Sequence, residues 1–168
     1  MRIKYRKLKL DDSEKIRIWR NKQLSILRQN QIINKDQQFT YFKKEILSRN
    51  DKIKLFAIDL DKNLIAYGGL VNISKDFGTA EISFIADKKI SHNSKFYEIL
   101  FGNFLDFIKK YSFKKKNLRR LFTETYSFRK KHIKILEKYG FKLEGVMKKH
   151  VLKNNRLYDS LIHGKLNR

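Results

Sequence analysis

The chain has 168 residues, of which 41% are hydrophobic and 13% aromatic, and this composition is that of a folded domain and not of a disordered segment. It carries 40 Lys and Arg against 17 Asp and Glu, a formal net charge of +23, and its lack of cysteine excludes disulfides, thiolate nucleophiles and thiolate metal sites. No apolar run is long enough for a membrane-spanning helix and no signal peptide opens the chain, so we expect a cytoplasmic protein.

The positive charge would attract polyanions, and nucleic acid is the obvious candidate. The lysines, however, are spread along the whole chain, and this argues against nucleic-acid binding. The densest basic run, residues 109–120, is interpreted as a solvated helix end and loop. Assistance in binding an anionic cofactor or substrate is the alternative interpretation of this run.

The N-terminal part predicts a strand followed by two helices. Residues 3–8 alternate in polarity and predict the strand. Asp11 or Asp12 can cap a helix that runs to about Asn21.

The second helix is predicted from a capping box. Asn34 is followed three residues later by Gln37, and this pattern opens a helix. Phe39, Phe42 and Ile46 are expected to lie on one face of it.

Three strands are predicted next, over residues 53–59, 64–73 and 79–86. Residues 61–63 read as a tight turn between the first two. The pair Gly68–Gly69 predicts either a β-bulge or a close approach of another backbone segment.

The C-terminal half predicts a helix over 93–111, a strand over 118–125, a helix over 128–139 and strands over 141–152 and 156–166. Asn154–Asn155 predicts a hairpin turn whose residues have positive φ. The element order is β-α-α-β-β-β-α-β-α-β-β. It predicts a single α/β domain over residues 1–168, built on a mixed sheet with helices on its faces.

The most informative passage is Tyr139-Gly140-Phe141, which ends a basic helix and begins a strand. A glycine directly after a helix satisfies the left-handed C-cap, and Phe141 begins the strand by burying its ring. The passage from Tyr126 to Val146 resembles the end of the acyl-CoA-binding domain of the GNAT N-acetyltransferases.

Three further passages are similar to GNAT enzymes. Residues 59–85 resemble the family's succession of strand, turn and strand, and Trp19-Arg20-Asn21 with the following loop resembles the start of bacterial acetyltransferases that modify amino sugars on nucleotide carriers. Residues 151–159 resemble the hairpin ending shared by those enzymes and the ribosomal-protein alanine acetyltransferases. The resemblance covers essentially the whole chain and implies the GNAT acyl-CoA N-acyltransferase fold.

The resemblance also implies the reaction, in which acetyl-CoA donates an acetyl group to a primary amine. The acceptor expected is an amino sugar on a nucleotide carrier, in surface-polysaccharide biosynthesis. A protein N-terminus is the first alternative, and a GNAT-fold binding protein that has lost catalysis is the second. The expected partner is thus a small anionic acceptor. We expect neither a membrane span nor a nucleic-acid partner, and the question of a homodimer is left open.

The resemblance places the pantetheine of acetyl-CoA between the strands near residues 80–85 and 121–125, and the pyrophosphate at the start of the next helix. The cofactor-binding residues it implies are Ser83, Phe84, Ile85, Ile90, Ser91, His92, Asn93, Ser94, Lys95 and Arg129. A solvated position is the alternative for His92.

The chain departs from the family pattern at three places. Residues 88–95 lack the glycines of the usual pyrophosphate loop, where Asn93 can adopt the left-handed conformation in their stead. Arg129 matches a position that is often Asn in the family, and it could reach a phosphate. Leu136 matches a position that is often a general-acid Tyr.

Acetyl transfer requires deprotonation of the amine, polarisation of the thioester and protonation of the leaving sulfur. Strand alternation puts Glu81 on one face with Ser83 and Ile85, and Glu81 is the expected general base. An ion pair across the sheet is its alternative role. Glu124 is a second candidate carboxylate, and Tyr158 is a candidate proton donor whose alternative role is packing.

The remaining candidates concern the acceptor. His150 and Tyr158 are expected to face each other across the last hairpin, which Asp159 anchors. The residues implied for acceptor binding are Trp19, Arg20, Asn21, Arg28 and His150. Arg20 and Arg28 could hold a diphosphate, because guanidinium groups match phosphate geometry, whereas Trp19 is equally well a core residue. The four scattered histidines do not indicate a metal site.

Overall fold

The computed structural model describes residues 2–48 and 50–167, without the side chains of His92 and Ser94. The strands are β1 (Ile3–Lys7), β2 (Lys54–Leu60), β3 (Asn63–Ser74), β4 (Thr79–Ala86), β5 (Arg120–Tyr126), β6 (Lys142–Lys153) and β7 (Arg156–Leu166). The helices are α1 (Asp12–Asn21), α2 (Lys35–Tyr41), α3 (Lys88–His92), α4 (Ser94–Lys110) and α5 (Lys130–Lys138). The predicted order is confirmed, and α3 is an additional helix.

The strands form one seven-stranded sheet in the order β1-β2-β3-β4-β5-β7-β6. The β4–β5 pair is parallel, and the pairs β1–β2, β2–β3, β5–β7 and β6–β7 are antiparallel. The predicted mixed sheet of an α/β protein is therefore confirmed. In the part of the chain that the structure describes, no helix is both long and apolar enough to cross a membrane.

The parallel ladder between β4 and β5 is short. It runs from the pair Thr79–Arg120 to the pair Glu81–Phe122, although β4 extends to Ala86. The backbone groups at the end of β4 therefore lie beyond the ladder.

The chain comprises two compact units, Met1–Asn72 with Ser83–Tyr97, and Ile73–Ile82 with Glu98–Arg168. The core of the first contains Leu8, Ile16, Trp19, Phe42, Ala57, Leu64, Tyr67 and Ile85. In the second, the fully buried side chains include Leu100, Phe101, Phe104, Leu105, Ile108, Leu121, Leu136 and Phe141.

The predicted turns and helix end are confirmed. Asn154 and Asn155 have φ of 49° and 59°, and Gly140 has a φ of 84°. The Gly140 N–H donates to the Glu137 carbonyl at 2.9 Å, and the Phe141 ring that follows is 1% exposed. The left-handed glycine thus ends α5 and allows the chain to bury Phe141 at once.

The capping box at α2 is confirmed, and Phe42 and Ile46 pack in the same core cluster as predicted, but the prediction is wrong for Phe39. The Gln37 N–H donates to the Asn34 side chain at 2.9 Å, and the Asn34 N–H donates to the Gln37 side chain at 2.9 Å. Phe42 is buried, whereas Phe39 is 42% exposed and lies under the Lys43 ammonium. The inward face of α2 contains Gln38 and Phe42, which are four residues apart and both buried, and Phe39 lies outside it.

The glycine pair in β3 marks a close backbone approach and not a bulge. The register shift lies between Ile58 and Asp59 on β2, whereas Gly69 pairs regularly with Leu55. A Cβ atom at Gly69 would overlap the carbonyl oxygen of Lys54. The backbone of β2 is therefore the reason for a glycine here.

We predict that Gly69→Ala destabilises the protein by about 1–3 kcal/mol, because the added methyl must displace backbone. Gly145→Ala is the matched control, since the nearest atom to its Cβ would be the Ile162 Cβ at 4.0 Å. Urea denaturation measures both free energies of unfolding. Equal stability of the two variants would contradict the close approach at Gly69.

Candidate functional site

Asp87 connects β4 to α3, and both its carboxylate and its backbone make hydrogen bonds. Its carboxylate accepts from the Trp19 indole N–H at 3.1 Å and from the Lys89 backbone N–H at 2.9 Å. Its own N–H donates to the Ile65 carbonyl at 2.9 Å. Asp87 therefore joins α1, β3 and the end of β4 at one point.

The segment after Asp87 satisfies its own backbone groups. The Asp87 carbonyl accepts from the N–H groups of Ile90 and Ser91, both at 3.0 Å, and the Asn93 N–H donates to the Ile90 carbonyl at 3.0 Å. The Asn93 side chain then accepts from the Phe96 N–H at 3.1 Å and so begins α4. The segment predicted as an open loop is thus a short helix and a cap.

The expectation that Asn93 adopts a left-handed conformation is wrong. Its φ is −78°, because an extended residue is required where α3 ends and its side chain caps α4. Asn93 therefore does not supply the left-handed backbone conformation that the missing glycines would allow.

The other residues implied for the cofactor lie on β4 and around α3. Ser83 and Phe84 are half-buried, and Phe84 packs edge-to-face on Tyr97 at 6.2 Å between ring centroids. Ile85 is buried and Lys95 is exposed. Ile90 and Ser91 are half-buried, and the expectations for the side chains of His92 and Ser94 lie outside the described residues.

Arg20 and Asn21 hold the loop that follows α1. The Arg20 guanidinium donates to the Gln29 side-chain oxygen at 2.9 Å and to the Tyr67 hydroxyl at 3.0 Å. The Asn21 side chain accepts from the Ile33 N–H at 3.0 Å and donates to the Ile33 carbonyl at 2.8 Å. Both side chains position this loop, and direct contact with a ligand stays a prediction for them.

The held loop lines a pocket of about 540 Å³ with α2. Its lining residues are Gln29, Asn30, Gln31, Ile32, Ile33, Gln37 and Tyr41. Tyr41 is 42% exposed, and partial burial, followed by Tyr67, raises the pKa of its hydroxyl. Four carboxamides and a phenol, with no charged group, give this pocket a neutral hydrogen-bonding surface.

Trp19 is a core residue, while Arg28 lies on the surface. The Trp19 ring is 4% exposed and belongs to the core of the first unit. Of the two roles open for Trp19 in the sequence, the structure favours packing. Arg28 is exposed on the loop that lines the pocket.

The second unit contains the two candidate carboxylates. Glu81 is 6% exposed on β4, opposite Phe122. Glu124 is half-buried on β5 and accepts a hydrogen bond from the Ser160 hydroxyl at 2.5 Å. A catalytic role stays a prediction for both.

The predicted pairing of His150 with Tyr158 is wrong. Tyr158 pairs with Val151, because the two-residue turn at Asn154–Asn155 pairs Lys153 with Arg156 and so fixes this register, and His150 is exposed. Tyr158 is half-buried and packs edge-to-face on Phe128 at 4.7 Å.

Asp159 anchors the last hairpin, as predicted. It accepts from the Lys149 N–H at 2.9 Å and from the Lys148 ammonium at 3.0 Å. These bonds hold the residues of the register shift between Met147 and Val151 against β7.

Sequence reasoning missed two buried histidines of the second unit. His132 stacks on Phe101 at 4.2 Å, and burial, Arg129 and His163 together lower its pKa well below 6.5. His163 is fully buried, and burial lowers its pKa although Glu137 and Glu144 oppose this shift. Their spacing in sequence carries no signal, because α5 and β7 bring them into proximity only in the fold.

Arg129 and Leu136 belong to α5. Arg129 is half-buried at its N-terminal end, and Leu136 is fully buried in the core. No group of three or more His, Asp or Glu side chains that could hold a metal occurs among the residues described.

The comparisons with known proteins agree on one family. A model of the acetyltransferase (GNAT) domain matches residues 5–162. No curated protein matches the chain. Several solved structures have the same fold. Their sequence identities to this chain are low, so the similarity is evidence for the fold only.

Three of these structures come from Vibrio cholerae proteins. The spermidine N-acetyltransferase in complex with CoA and spermine has a TM-score of 0.85 and 23% identity, over 98% of this chain and 95% of that chain. A chimera of the spermidine N-acetyltransferase SpeG with hSSAT has a TM-score of 0.83 and 24% identity, over 99% and 96%. Mutant forms of the spermidine/spermine N-acetyltransferase SpeG have a TM-score of 0.80 and 24% identity, over 98% and 93%.

We predict that the buried histidines make stability depend on pH. Because the folded-state pKa of His132 lies below the unfolded value of 6.5, the unfolded chain binds protons first as the pH falls. The stability present above pH 6.5 should be lost below it, by up to about 1.4 kcal/mol per pH unit for each histidine.

Denaturation of His132→Phe, which keeps a ring on Phe101, should show a smaller loss between pH 7 and pH 5. The control His150→Gln removes an exposed histidine and should leave the pH dependence unchanged. Identical pH profiles for the wild type and His132→Phe would contradict the assignment.

Proposed function

The chain belongs to the GNAT acetyltransferase family, and we propose that it acetylates the primary amine of an amino sugar carried on a nucleotide. Acetyl-CoA is the donor, and the chain is an acetyl-CoA-dependent N-acetyltransferase. The proposal adds the identity of the acceptor, a sugar, and a role in surface-polysaccharide biosynthesis.

The neutral pocket beside α2 carries the proposal. A carboxamide donates and accepts hydrogen bonds without a formal charge, and it therefore matches sugar hydroxyls. The residues that line the pocket contribute four carboxamides and the Tyr41 hydroxyl. Two of these carboxamides already have partners, Gln29 with Arg20 and Asn21 and the oxygen of Gln37 with the Asn34 N–H, so these two shape the pocket. Such a preorganised surface favours a ligand with many hydroxyl groups.

The charge of the chain supports the same acceptor. A nucleotide carrier has a negatively charged diphosphate, and a net charge of +23 attracts it. The exposed Arg28 guanidinium lies on the loop that lines the pocket and suits a diphosphate oxygen pair.

A polyamine is the second candidate acceptor, because the solved structures named above are spermidine N-acetyltransferases. A polyamine carries several positive charges, which carboxylates bind best. The residues that line the pocket include no carboxylate, Glu45 acts on Tyr41 from outside the lining, and the field of the whole chain repels a polycation. The amino sugar is therefore preferred.

The end of β4 fits the donor. The backbone groups after Glu81 continue beyond the ladder with β5 and can bond pantetheine amides as a further strand would. When bound, acetyl-CoA supplies the thioester carbon that the acceptor amine attacks.

We assign the proton transfers to the second unit. Glu81 accepts the amine proton, directly or through water, and Glu124 is the alternative base. Leu136 has no proton to give at the position where the family often has Tyr. Tyr158 therefore protonates the leaving sulfur, or water does.

Because acetyl-CoA is an intracellular metabolite, a cytoplasmic location suits this reaction.

We predict that Glu81→Gln lowers kcat by about 10²–10⁴-fold, since this is the usual contribution of a general base. The change is nearly isosteric, so the affinity for acetyl-CoA and the Tm should change little. Release of CoA thiol with a reactive amine acceptor measures kcat. Glu124→Gln is the control, and a larger loss in this variant would transfer the role to Glu124.

We predict that a nucleotide-linked amino sugar is acetylated with a kcat/KM at least tenfold above that of spermidine, because an unmatched charge in a neutral site costs about 1.4 kcal/mol or more. Mass spectrometry of each acceptor after incubation with acetyl-CoA gives the comparison. Preferred acetylation of spermidine by the wild type would contradict the sugar acceptor.

A charge variant sharpens this test. Gln31→Glu places a carboxylate in the pocket lining and should shift the preference towards spermidine. Thr40→Glu adds the same charge at an exposed position of α2 outside the lining and should not.

A further inference from the structure

Lys153 is a buried lysine at the end of β6, in the second unit. It is 9% exposed, and of the lysines that the structure describes in this unit it alone is buried. Its ammonium lies over the Tyr126 ring, 5.9 Å from the ring centroid. Burial lowers the pKa of Lys153, because an ammonium is less stable away from water. A larger fraction of this side chain is therefore the neutral amine than for an exposed lysine.

The last hairpin fixes the position of Lys153. The turn at Asn154–Asn155 pairs Lys153 with Arg156, and β7 then runs back along β5, where Ser160 pairs with Tyr126. The hairpin thus returns the lysine to the C-terminal end of β5.

The groups around the Tyr126 ring are those to which we assign proton transfer. Phe128 packs on Tyr126 at 5.8 Å and on Tyr158 at 4.7 Å between ring centroids. Glu124 precedes Tyr126 by two residues, so both side chains point to the same face of β5, about 7 Å apart along the strand. The Ser160 hydroxyl donates to Glu124 at 2.5 Å on this face. The buried ammonium therefore shares the face with a candidate base and lies beside the cluster that contains a candidate proton donor.

We propose that the chain transfers an acetyl group from acetyl-CoA to its own Lys153. The proposal rests on the assignment of proton transfer to the second unit, which belongs to the proposed function. Lys153 requires no binding step to present its amine, because the fold already holds the side chain at the end of β5. A reacting group that is held in place has a high effective concentration, so it competes well with an amine in solution.

The transfer conserves atoms and charge. The Lys153 ammonium first loses a proton to Glu81 or Glu124, which passes it to solvent. The neutral Nζ then attacks the carbonyl carbon of the thioester, so that an N–C bond forms and the C–S bond breaks. Tyr158 or water gives a proton to the leaving sulfur and regains one from the nitrogen. The products are an uncharged N-acetyl-lysine, the CoA thiol and one proton.

Mass spectrometry of the full chain, incubated with acetyl-CoA and without an added amine, tests the proposal. Lys142 and Lys149 are internal controls, because both are exposed on β6 and report on purely chemical acetylation. Digestion with a protease that does not cleave at lysine gives the acetylated fraction at all three positions over time. We expect Lys153 to be acetylated about tenfold or more faster than either control, at a rate that does not depend on protein concentration. In the urea-unfolded chain the three positions should react alike.

Two variants are matched to this experiment. Lys153→Arg keeps a cation over Tyr126 but has no primary amine, and Lys142→Arg makes the same change at an exposed position. The intact mass of Lys153→Arg should lack the acetyl group that the wild type and Lys142→Arg gain, and thermal unfolding checks that both variants fold. Whichever of Glu81→Gln and Glu124→Gln lowers transfer to a small amine should also slow acetylation of Lys153.

Acetylation of Lys153 no faster than that of Lys142 and Lys149, or equally fast in the unfolded chain, would overturn the proposal. An unchanged rate in both glutamine variants would overturn it too, because the modification would then not use the site. Failure of the proposed function has a different signature. In that case Lys153 is acetylated while no amino sugar is, whereas an acetylated amino sugar beside unmodified Lys153 contradicts this inference alone.

Discussion

The carboxylate of Asp87 is the interaction on which the functional end of the first unit depends. It accepts the Trp19 indole N–H and the Lys89 backbone N–H, while the backbone of the same residue bonds Ile65, Ile90 and Ser91. A carboxylate that accepts hydrogen bonds from a buried ring and from a helix start fixes both. The direction in which the chain leaves β4 is therefore determined by one side chain.

This closed junction changes how the chain can recognise its donor. The proposed cofactor site lies at the end of β4, and here the N–H groups of Ile90 and Ser91 have intramolecular acceptors. The pocket at this junction is lined by lysines of α1 and α3 and by Asp87. The pocket proposed for the acceptor has the opposite chemistry, because its lining, which includes the Gln29 carboxamide held by Arg20 and Asn21, has no formal charge. Charge at one pocket and neutral hydrogen bonds at the other suit an anionic donor and a sugar acceptor.

Local patterns predicted most of the fold, because turn and cap chemistry is local. Gly140, the Asn34–Gln37 capping box and the Asn154–Asn155 turn behave as their residue types require. The two failures have different causes. The turn at Asn154–Asn155 itself opposes Val151 to Tyr158, so the expected pair with His150 is one residue out of register. The exposure of Phe39 follows from the tertiary packing of α2, which buries Gln38 and Phe42 instead.

The candidate site was less predictable, because it depends on contacts between distant elements. The sequence shows that residues 88–95 lack glycine. It does not predict α3, because a helix of only five residues is too short to show a helical pattern of apolar residues. Trp19 is open between core and acceptor roles in the sequence, because Asp87, the partner of its indole, lies 68 residues away. The carboxamide pocket required the loop after α1 to fold back on Asn21, which spacing alone does not reveal.

Amide hydrogen exchange over residues 87–97, with and without acetyl-CoA, tests the closed junction most directly. The N–H groups of Lys89, Ile90 and Ser91 should be protected in the free protein, because their acceptors are intramolecular, and acetyl-CoA should leave their protection nearly unchanged. The contrary result is fast exchange of these amides in the free protein and strong protection with acetyl-CoA. It would show that these amides lack intramolecular acceptors in the free protein and form a cradle around the phosphates.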